Sequence, residues 1–150
     1  MVQQRLAKTT PQAWSYSLKA VQALSVGGAL VSAYLAYIRF TSQAAYCAGI
    51  GDCELVNSSR YSEVLGVPVA VLGLAMYLAL LFLSTASGLF RSNLALLGVF
   101  SLSLTGAAYS AYLTYAEVYL IGAICPWCIA SAIIVTAILA FSMKEVLSAR

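Results

Sequence analysis

Apolar residues in this chain neither alternate nor recur at the spacing of an amphipathic helix; they run on without a break. Four stretches are almost wholly apolar: about Tyr16 to Ile38, Gly66 to Thr85, Asn93 to Tyr115 and Ala123 to Met143. Each reaches the roughly 20 residues that a membrane helix needs. They are nearly free of charge, with Lys19 near the start of the first. Lipid offers no partner to a backbone amide, so each stretch is predicted to be a helix. Pro68 and Gly73 are better tolerated there than in a soluble helix. The first stretch is longer than a signal-peptide core of about 7–15 residues, and no small-residue cleavage site follows it, so it reads as a span.

The connections differ in character. Thr85 to Ser92 is a short polar turn, whereas Arg39 to Leu65 is long. Loops beyond about 12–15 residues are usually functional or disordered. Within this one, Ser58 or Ser59 is a candidate cap for a short surface helix running to Leu65, with Glu63 in its first turn. Gly66 and Pro68 then turn the chain into the second span. No internal repeat or low-complexity segment interrupts the pattern. The fold expected is an all-α membrane protein. Residues 1–150 form one four-transmembrane-helix bundle, with a long extracytoplasmic loop (about 39–65) that carries a short surface helix.

Composition supports lipid as the solvent. Hydrophobic residues make up 62% of the chain and charged residues 9%, against roughly a quarter charged in soluble domains. The net charge of +3 is dispersed, which excludes the clustered basic footprint of a nucleic-acid binder. Arg5, Lys8, Lys19, Arg91, Lys144 and Arg150 fall on one side of a four-span arrangement. Arg39 and Arg60 fall on the other, with Asp52, Glu54, Glu63 and Glu117. Basic flanks mark the cytoplasmic face. Both termini are therefore expected in the cytoplasm, with the long loop outside a multi-pass protein of the cell inner membrane. Histidine is absent, which removes Ser-His and Cys-His nucleophile pairs and Cys/His zinc fingers.

All four cysteines fall on the outer face of this arrangement. Cys47 and Cys53 lie in the long loop; Cys125 and Cys128 open the fourth helix. Disulfides persist on that face of a membrane. In Cys125-Pro126-Trp127-Cys128, the free N–H groups and dipole of a helix start lower a thiol pKa, and proline suits the first helical position. A lower pKa raises the thiolate fraction and improves the leaving group in exchange. Asp52 and Glu54 flank Cys53 and would hold its pKa up. Two structural disulfides are one bland reading of this set. A four-thiolate zinc site is another, although Cys47 and Cys53 lack the tight spacing of a zinc knuckle. A relay of two exchanging pairs is the sharper reading. Its electrons would leave Cys125 and Cys128 for an acceptor in the membrane. With no histidine for a haem and no dinucleotide fingerprint, a lipid-soluble quinone is the economical acceptor, and no metal is expected.

These residues resemble the vitamin K epoxide reductase family, in particular its bacterial branch, over nearly the whole chain. The resemblance rests on Cys47 and Cys53, on Asn57-Ser58-Ser59-Arg60-Tyr61, on Leu65-Gly66-Val67-Pro68 and on Cys125-Pro126-Trp127-Cys128. It implies a four-helix bundle around a quinone of the ubiquinone, menaquinone or phylloquinone type, capped by the loop. It implies roles as well. Cys128 contacts the quinone ring, Cys125 is its partner, Cys53 attacks Cys125, and Cys47 exchanges with a thioredoxin-like protein outside the cell. Ser59 is implied near the quinone, though alone it reads as a cap or ordinary loop serine. Trp127 is a candidate shield for the ring or, more plainly, an interface anchor. Among Tyr109, Tyr112, Tyr115 and Tyr119, one is a candidate hydrogen-bond partner of the quinone and the rest belong to an aromatic belt or to packing.

The chain departs from relatives in three ways. Many bacterial members carry a fused thioredoxin-like domain, and this sequence ends at Arg150 without one, so the partner is a separate protein or the sequence is trimmed. The loop cysteines are closer together than in animal members, and Ala132 stands where those carry a tyrosine near the ring. The last two count against vitamin K epoxide as substrate and leave quinone reduction standing. The function expected is a quinone-coupled thiol–disulfide oxidoreductase supporting extracytoplasmic disulfide formation. The alternatives are a vitamin K quinone or epoxide reductase and a non-catalytic four-span protein with structural disulfides. The other bacterial quinone-coupled oxidase carries its C-x-x-C in the first loop, unlike this chain.

Overall fold

A computed structural model of the chain describes residues 11–44, 46–47, 49–90 and 93–148. Helix α1 spans Pro11–Thr41 and α2 spans Cys53–Ser58, followed by a 3-10 turn, Arg60–Ser62. Strands β1 (Glu63–Val64) and β2 (Val67–Pro68) precede α3 (Val69–Phe90). Helix α4 (Asn93–Tyr115) runs on into a π-helical segment, Ala116–Ile121, and α5 spans Pro126–Ser148. Four helices are long and apolar enough to cross a membrane, over Tyr16–Thr41, Val69–Leu89, Asn93–Ile121 and Pro126–Ser148. The chain is a multi-pass, all-α membrane protein of four spanning helices, as its apolar runs predict.

The helices outrun the apolar stretches because a hydrogen-bond ladder continues into flanking residues that water solvates. Two starts fall later than expected. Gly66 (φ 81°) and Gly122 (φ 70°) hold left-handed backbone, so helix begins only at Val69 and Pro126. Of the basic residues used for orientation, Arg5, Lys8, Arg91 and Arg150 lie outside the described residues.

The spanning helices close a ring: α1 packs on α3 and α5, and α4 packs on the same two. Lipid is as apolar as a leucine side chain, so close approach of small residues holds such helices together. Gly28 of α1 lies under the fully buried ring of Tyr77. Across the ring of helices, the Tyr77 hydroxyl donates to the Ser131 carbonyl at 2.8 Å and pairs with the Ser131 hydroxyl at 2.9 Å. Buried serines turn their hydroxyls back on their own helices, as Ser25 does to the Val21 carbonyl at 2.7 Å. Ser103 and Ser142 also meet between α4 and α5 at 3.3 Å. Around Tyr77 pack Val21, Leu80, Val99, Val135 and Ile138.

The loop corrects one expectation. The short helix does not run from Ser58 or Ser59 to Leu65; it starts at Cys53, where the Asp52 carboxylate accepts the Leu55 N–H at 3.0 Å. Asp52 is an N-cap, and Ser59 ends the helix. Glu63 lies in a hairpin with register Glu63↔Pro68 and Val64↔Val67. Leu65 (φ 53°) and Gly66 (φ 81°) form its turn, both left-handed, as a tight two-residue hairpin turn requires. Glu63 forms an ion pair with Arg39 at the end of α1.

A Cβ at Gly28 would lie 2.2 Å from the Tyr77 ring, whereas one at Gly27 meets nothing within 4 Å. Gly28→Ala should therefore destabilise by about 1–3 kcal/mol, the usual cost of overpacking. Gly27→Ala should be neutral or mildly stabilising. Thermal unfolding of the two variants in detergent checks the contrast.

Candidate active site

The four cysteines gather at one end of the bundle. Cys47 and Cys53 form a disulfide with their Cα atoms 6.2 Å apart, and Cys125 and Cys128 are free thiols. Cys53 and Cys125 are fully enclosed and belong to one packed cluster with Leu35, Val56 and Ala123, against which Cys47 and Cys128 also rest. Among the described residues no group of three His, Cys, Asp or Glu is set to hold a metal ion. The bridge between Cys47 and Cys53 leaves no set of four thiolates.

Local structure explains the gathering. Gly122 ends the π-helical segment, and the N–H groups of Gly122 and Ala123 both turn back to the Glu117 carbonyl. The chain then runs without helix through Ile124 to Cys125. The Ile124 carbonyl accepts the Asp52 N–H at 3.2 Å. Gly51 makes this seat possible: its φ is +82°, and a Cβ there would lie 2.0 Å from the Ile124 oxygen. Since Asp52 and Ile124 are bonded, the next residue on each strand of chain is a cysteine, and the two are brought together.

Cys125 occupies the cap position of α5. Its carbonyl accepts the Ile129 N–H at 3.1 Å, and its sulfur accepts the Cys128 N–H at 3.4 Å. Pro126 takes the first helical position, where its missing N–H costs nothing. The Cys125 thiol is held below its ordinary pKa, foremost by the hydrogen bond from the Cys128 thiol and further by the N–H groups of Cys128 and Trp127. Burial and the Glu117 carboxylate act against this lowering.

Cys128 faces the other way. It lines a cleft of about 370 Å³ between α1, α3, α4 and α5, with α2 and the hairpin at one end. The exposed wall surface is chiefly apolar, with Leu35, Met76 and Leu113 in it, and its polar residues include Ser59, Tyr109, Glu117 and Ser131. Size and lining suit a small organic ring. Ser59 is a wall residue, and its hydroxyl already donates to the Val56 carbonyl at 2.7 Å. That leaves it an acceptor toward the cavity. Of the four tyrosines on the α4 side, Tyr109 alone is in the wall; Tyr112, Tyr115 and Tyr119 are exposed. Ala132 is not in the wall, whereas Ser131 beside it is.

Trp127 is placed differently from the expected shield. It is not a wall residue of the cavity. Its indole N–H donates to the Tyr46 carbonyl at 3.0 Å, and its ring packs on Tyr34 with centroids 5.0 Å apart. The Tyr34 hydroxyl in turn accepts the Tyr46 N–H at 3.3 Å. Both backbone groups of the residue before Cys47 are thus held by aromatic side chains. Glu117 is the residue that sequence reading passed over. Taken as a charge on the outer surface, it is instead 3% exposed, and its carboxylate accepts the Cys125 N–H at 3.2 Å. The available signal was an ionisable residue at the end of an apolar span, which is costly unless it serves a purpose.

Gly51→Ala should lift the loop from Ile124, because a side chain at positive φ alone costs on the order of 1–3 kcal/mol. In a variant that keeps only Cys53 and Cys125, mild oxidation should cross-link the two. Adding Gly51→Ala should slow that cross-link by roughly tenfold or more, at about 1.4 kcal/mol per tenfold.

Comparison with known proteins agrees with this geometry. The family described as "Vitamin K epoxide reductase family" matches residues 19–143. The thiol-disulfide oxidoreductase LTO1 of Arabidopsis thaliana is 33% identical over an alignment of 127 residues that covers 78% of this chain. The chain spans about one third of that relative's length (33%). With four spanning helices, a C-x-x-C opening the last of them and a match over most of its length, the chain belongs to the vitamin K epoxide reductase family.

Proposed function

We propose that the protein is a thiol–disulfide oxidoreductase that carries two electrons from a thioredoxin-like protein to a membrane quinone. The observation that carries this reading is the division of the cysteine cluster. Cys47 is partly exposed beside the exposed Tyr46 and Ile50, Cys53 and Cys125 are enclosed between the pairs, and Cys128 opens on an apolar cavity. The name of the plant relative, a thiol-disulfide oxidoreductase, supports the reaction class.

Each exchange step moves a thiolate onto a disulfide sulfur and releases another thiolate. A thiolate of the partner attacks Cys47, forming a mixed disulfide and freeing Cys53. The partner's second thiol resolves the mixed disulfide, leaves oxidised and frees Cys47. Cys53 then attacks Cys125 of an oxidised Cys125–Cys128 pair and frees Cys128. Cys47 attacks Cys53, restores the loop disulfide and leaves Cys125 and Cys128 reduced. The observed pairing, a loop disulfide beside two free thiols, is that last state. A quinone held in the cavity would accept two electrons and two protons as the Cys125–Cys128 pair closes again to a disulfide. Cys128 stands at the cavity wall to deliver the electrons, Tyr109 would donate to a ring oxygen of the quinone, and Ser59, whose proton is spent on Val56, would accept from a hydroquinone hydroxyl. The cysteine end is assigned to the extracytoplasmic side of the cell membrane, with both termini in the cytoplasm, where the reaction would support disulfide formation in exported proteins.

The test is quinone reduction by the purified protein in detergent, driven by a reduced thioredoxin-like protein or by dithiothreitol. Cys128→Ala should abolish turnover with either donor. Cys47→Ala should abolish it with the protein donor and largely spare it with dithiothreitol. Turnover indifferent to Cys128→Ala would overturn the relay.

A further inference from the structure

Glu117 is enclosed at the end of a membrane span, with no basic side chain in ion-pair contact among the described residues. A carboxylate there is expensive unless something uses it. Its position is made by a device in the chain. The π-helical segment Ala116–Ile121 adds a residue to the turn, and Gly122 closes it. Such insertions cost helix geometry and recur at functional sites. The result turns the carboxylate inward instead of toward lipid or water. One oxygen accepts the Cys125 N–H at 3.2 Å, and the residue lines the same cavity as Cys128.

This places one carboxylate between the thiol that must lose a proton and the space where an acceptor must gain one. Closing a dithiol to a disulfide releases two electrons and two protons, and reducing a quinone to a hydroquinone consumes both. Electrons leave through sulfur, but protons need a carrier in a cavity with apolar walls. Among the wall residues Glu117 carries the only carboxyl; Tyr77 and Ser131 already bond each other, and Ser59 has spent its hydroxyl proton on Val56.

We propose that Glu117 is a catalytic acid–base residue: it takes the proton of the Cys128 thiol and gives it to the acceptor held in the cavity. In balance, the carboxylate gains the Cys128 proton as that sulfur is committed to the disulfide. It returns to carboxylate as a quinone oxygen takes the proton. The Cys125 proton follows through the same carboxylate, whose oxygen already accepts the Cys125 N–H, so that both protons released reach the two quinone oxygens. The proposal rests on the quinone reading above and adds the path of the proton.

A glutamine at this position keeps the size and an oxygen for the Cys125 N–H but carries no proton, whereas aspartate carries one on a shorter arm. Quinone reduction with dithiothreitol as donor should fall by about 10²-fold or more in Glu117→Gln, the scale of general acid–base catalysis. It should be partly restored in Glu117→Asp, and the glutamine variant should keep its unfolding temperature. Independently of any quinone, the infrared difference between the reduced and oxidised protein should carry a carboxyl band that Glu117→Gln lacks, because oxidation removes the thiol donor. Glutamine turnover within threefold of wild type, glutamine outperforming aspartate, or no carboxyl band would each overturn the proposal. Failure of the wild type itself to reduce any quinone overturns the acceptor reading, and the infrared arm still tests the contact.

Discussion

The hydrogen bond from the Asp52 amide to the Ile124 carbonyl organises the whole cysteine end of the molecule. Irregular backbone near membrane depth is tolerated only where its polar groups find partners. Ile124 lies between two helices, in a segment that is not helical. The loop satisfies its carbonyl, and the same residue's carboxylate starts α2. Asp52 thereby fixes the start of the helix that carries Cys53 and the seat against the segment that carries Cys125. One hydrogen bond contributes about 1 kcal/mol, so its importance is geometric. It sets the register between two pieces of chain that are more than 70 residues apart in sequence.

Two further fastenings bracket that seat. Trp127 and Tyr34 hold the backbone of Tyr46 on one side of the loop, and the Arg39–Glu63 ion pair ties the hairpin to α1 on the other. Each is modest; an exposed ion pair is worth at most about 1 kcal/mol. A loop held by several weak contacts keeps its place on average, yet parts of it lift at small cost. Exchange chemistry needs that property, because a thiolate must reach a disulfide sulfur and then be displaced from it. The spanning helices have no such freedom: Gly28 under the Tyr77 ring and the Tyr77–Ser131 hydrogen bonds lock α1, α3 and α5 around the cavity.

The spans were legible because lipid demands long unbroken apolar runs, a constraint that acts on composition rather than on detail. The convergence of Cys125 and Cys128 at a helix start was legible for a similar reason: C-x-x-C with proline at the first helical position is local chemistry. What escaped is non-local. Asp52 looks like a charge beside a thiol until the helix it caps is known. Leu65-Gly66 lacks the asparagine or aspartate that announces a tight hairpin. Trp127 was aimed at the ring because it lies between two cysteines in sequence, but one residue of helix rotation sends it about 100° away from Cys128. Glu117 was counted on the outer surface because a π-helical turn, which rotates it inward, leaves no mark in hydropathy. Ser59 came from resemblance alone, and its packing against the cavity gives that placement a physical basis.

The burial of the middle cysteines bears on why a relay would need four. A pair open to water on one side and to the acceptor on the other would let any protein thiol discharge through it. Here Cys53 and Cys125 are shut within one cluster, so a thiol on a folded protein meets only Cys47, whereas a small thiol enters wherever the loop lifts. Under the relay reading, electrons enter at Cys47, cross between two sulfurs that solvent does not reach and leave at Cys128. Selectivity then lies in access to Cys47, flanked by exposed Tyr46 and Ile50 that a protein surface covers better than a small molecule does. Under the same reading protons must also cross a cavity with chiefly apolar walls, and Glu117, on that wall and bonded to the Cys125 N–H, is the group proposed to carry them.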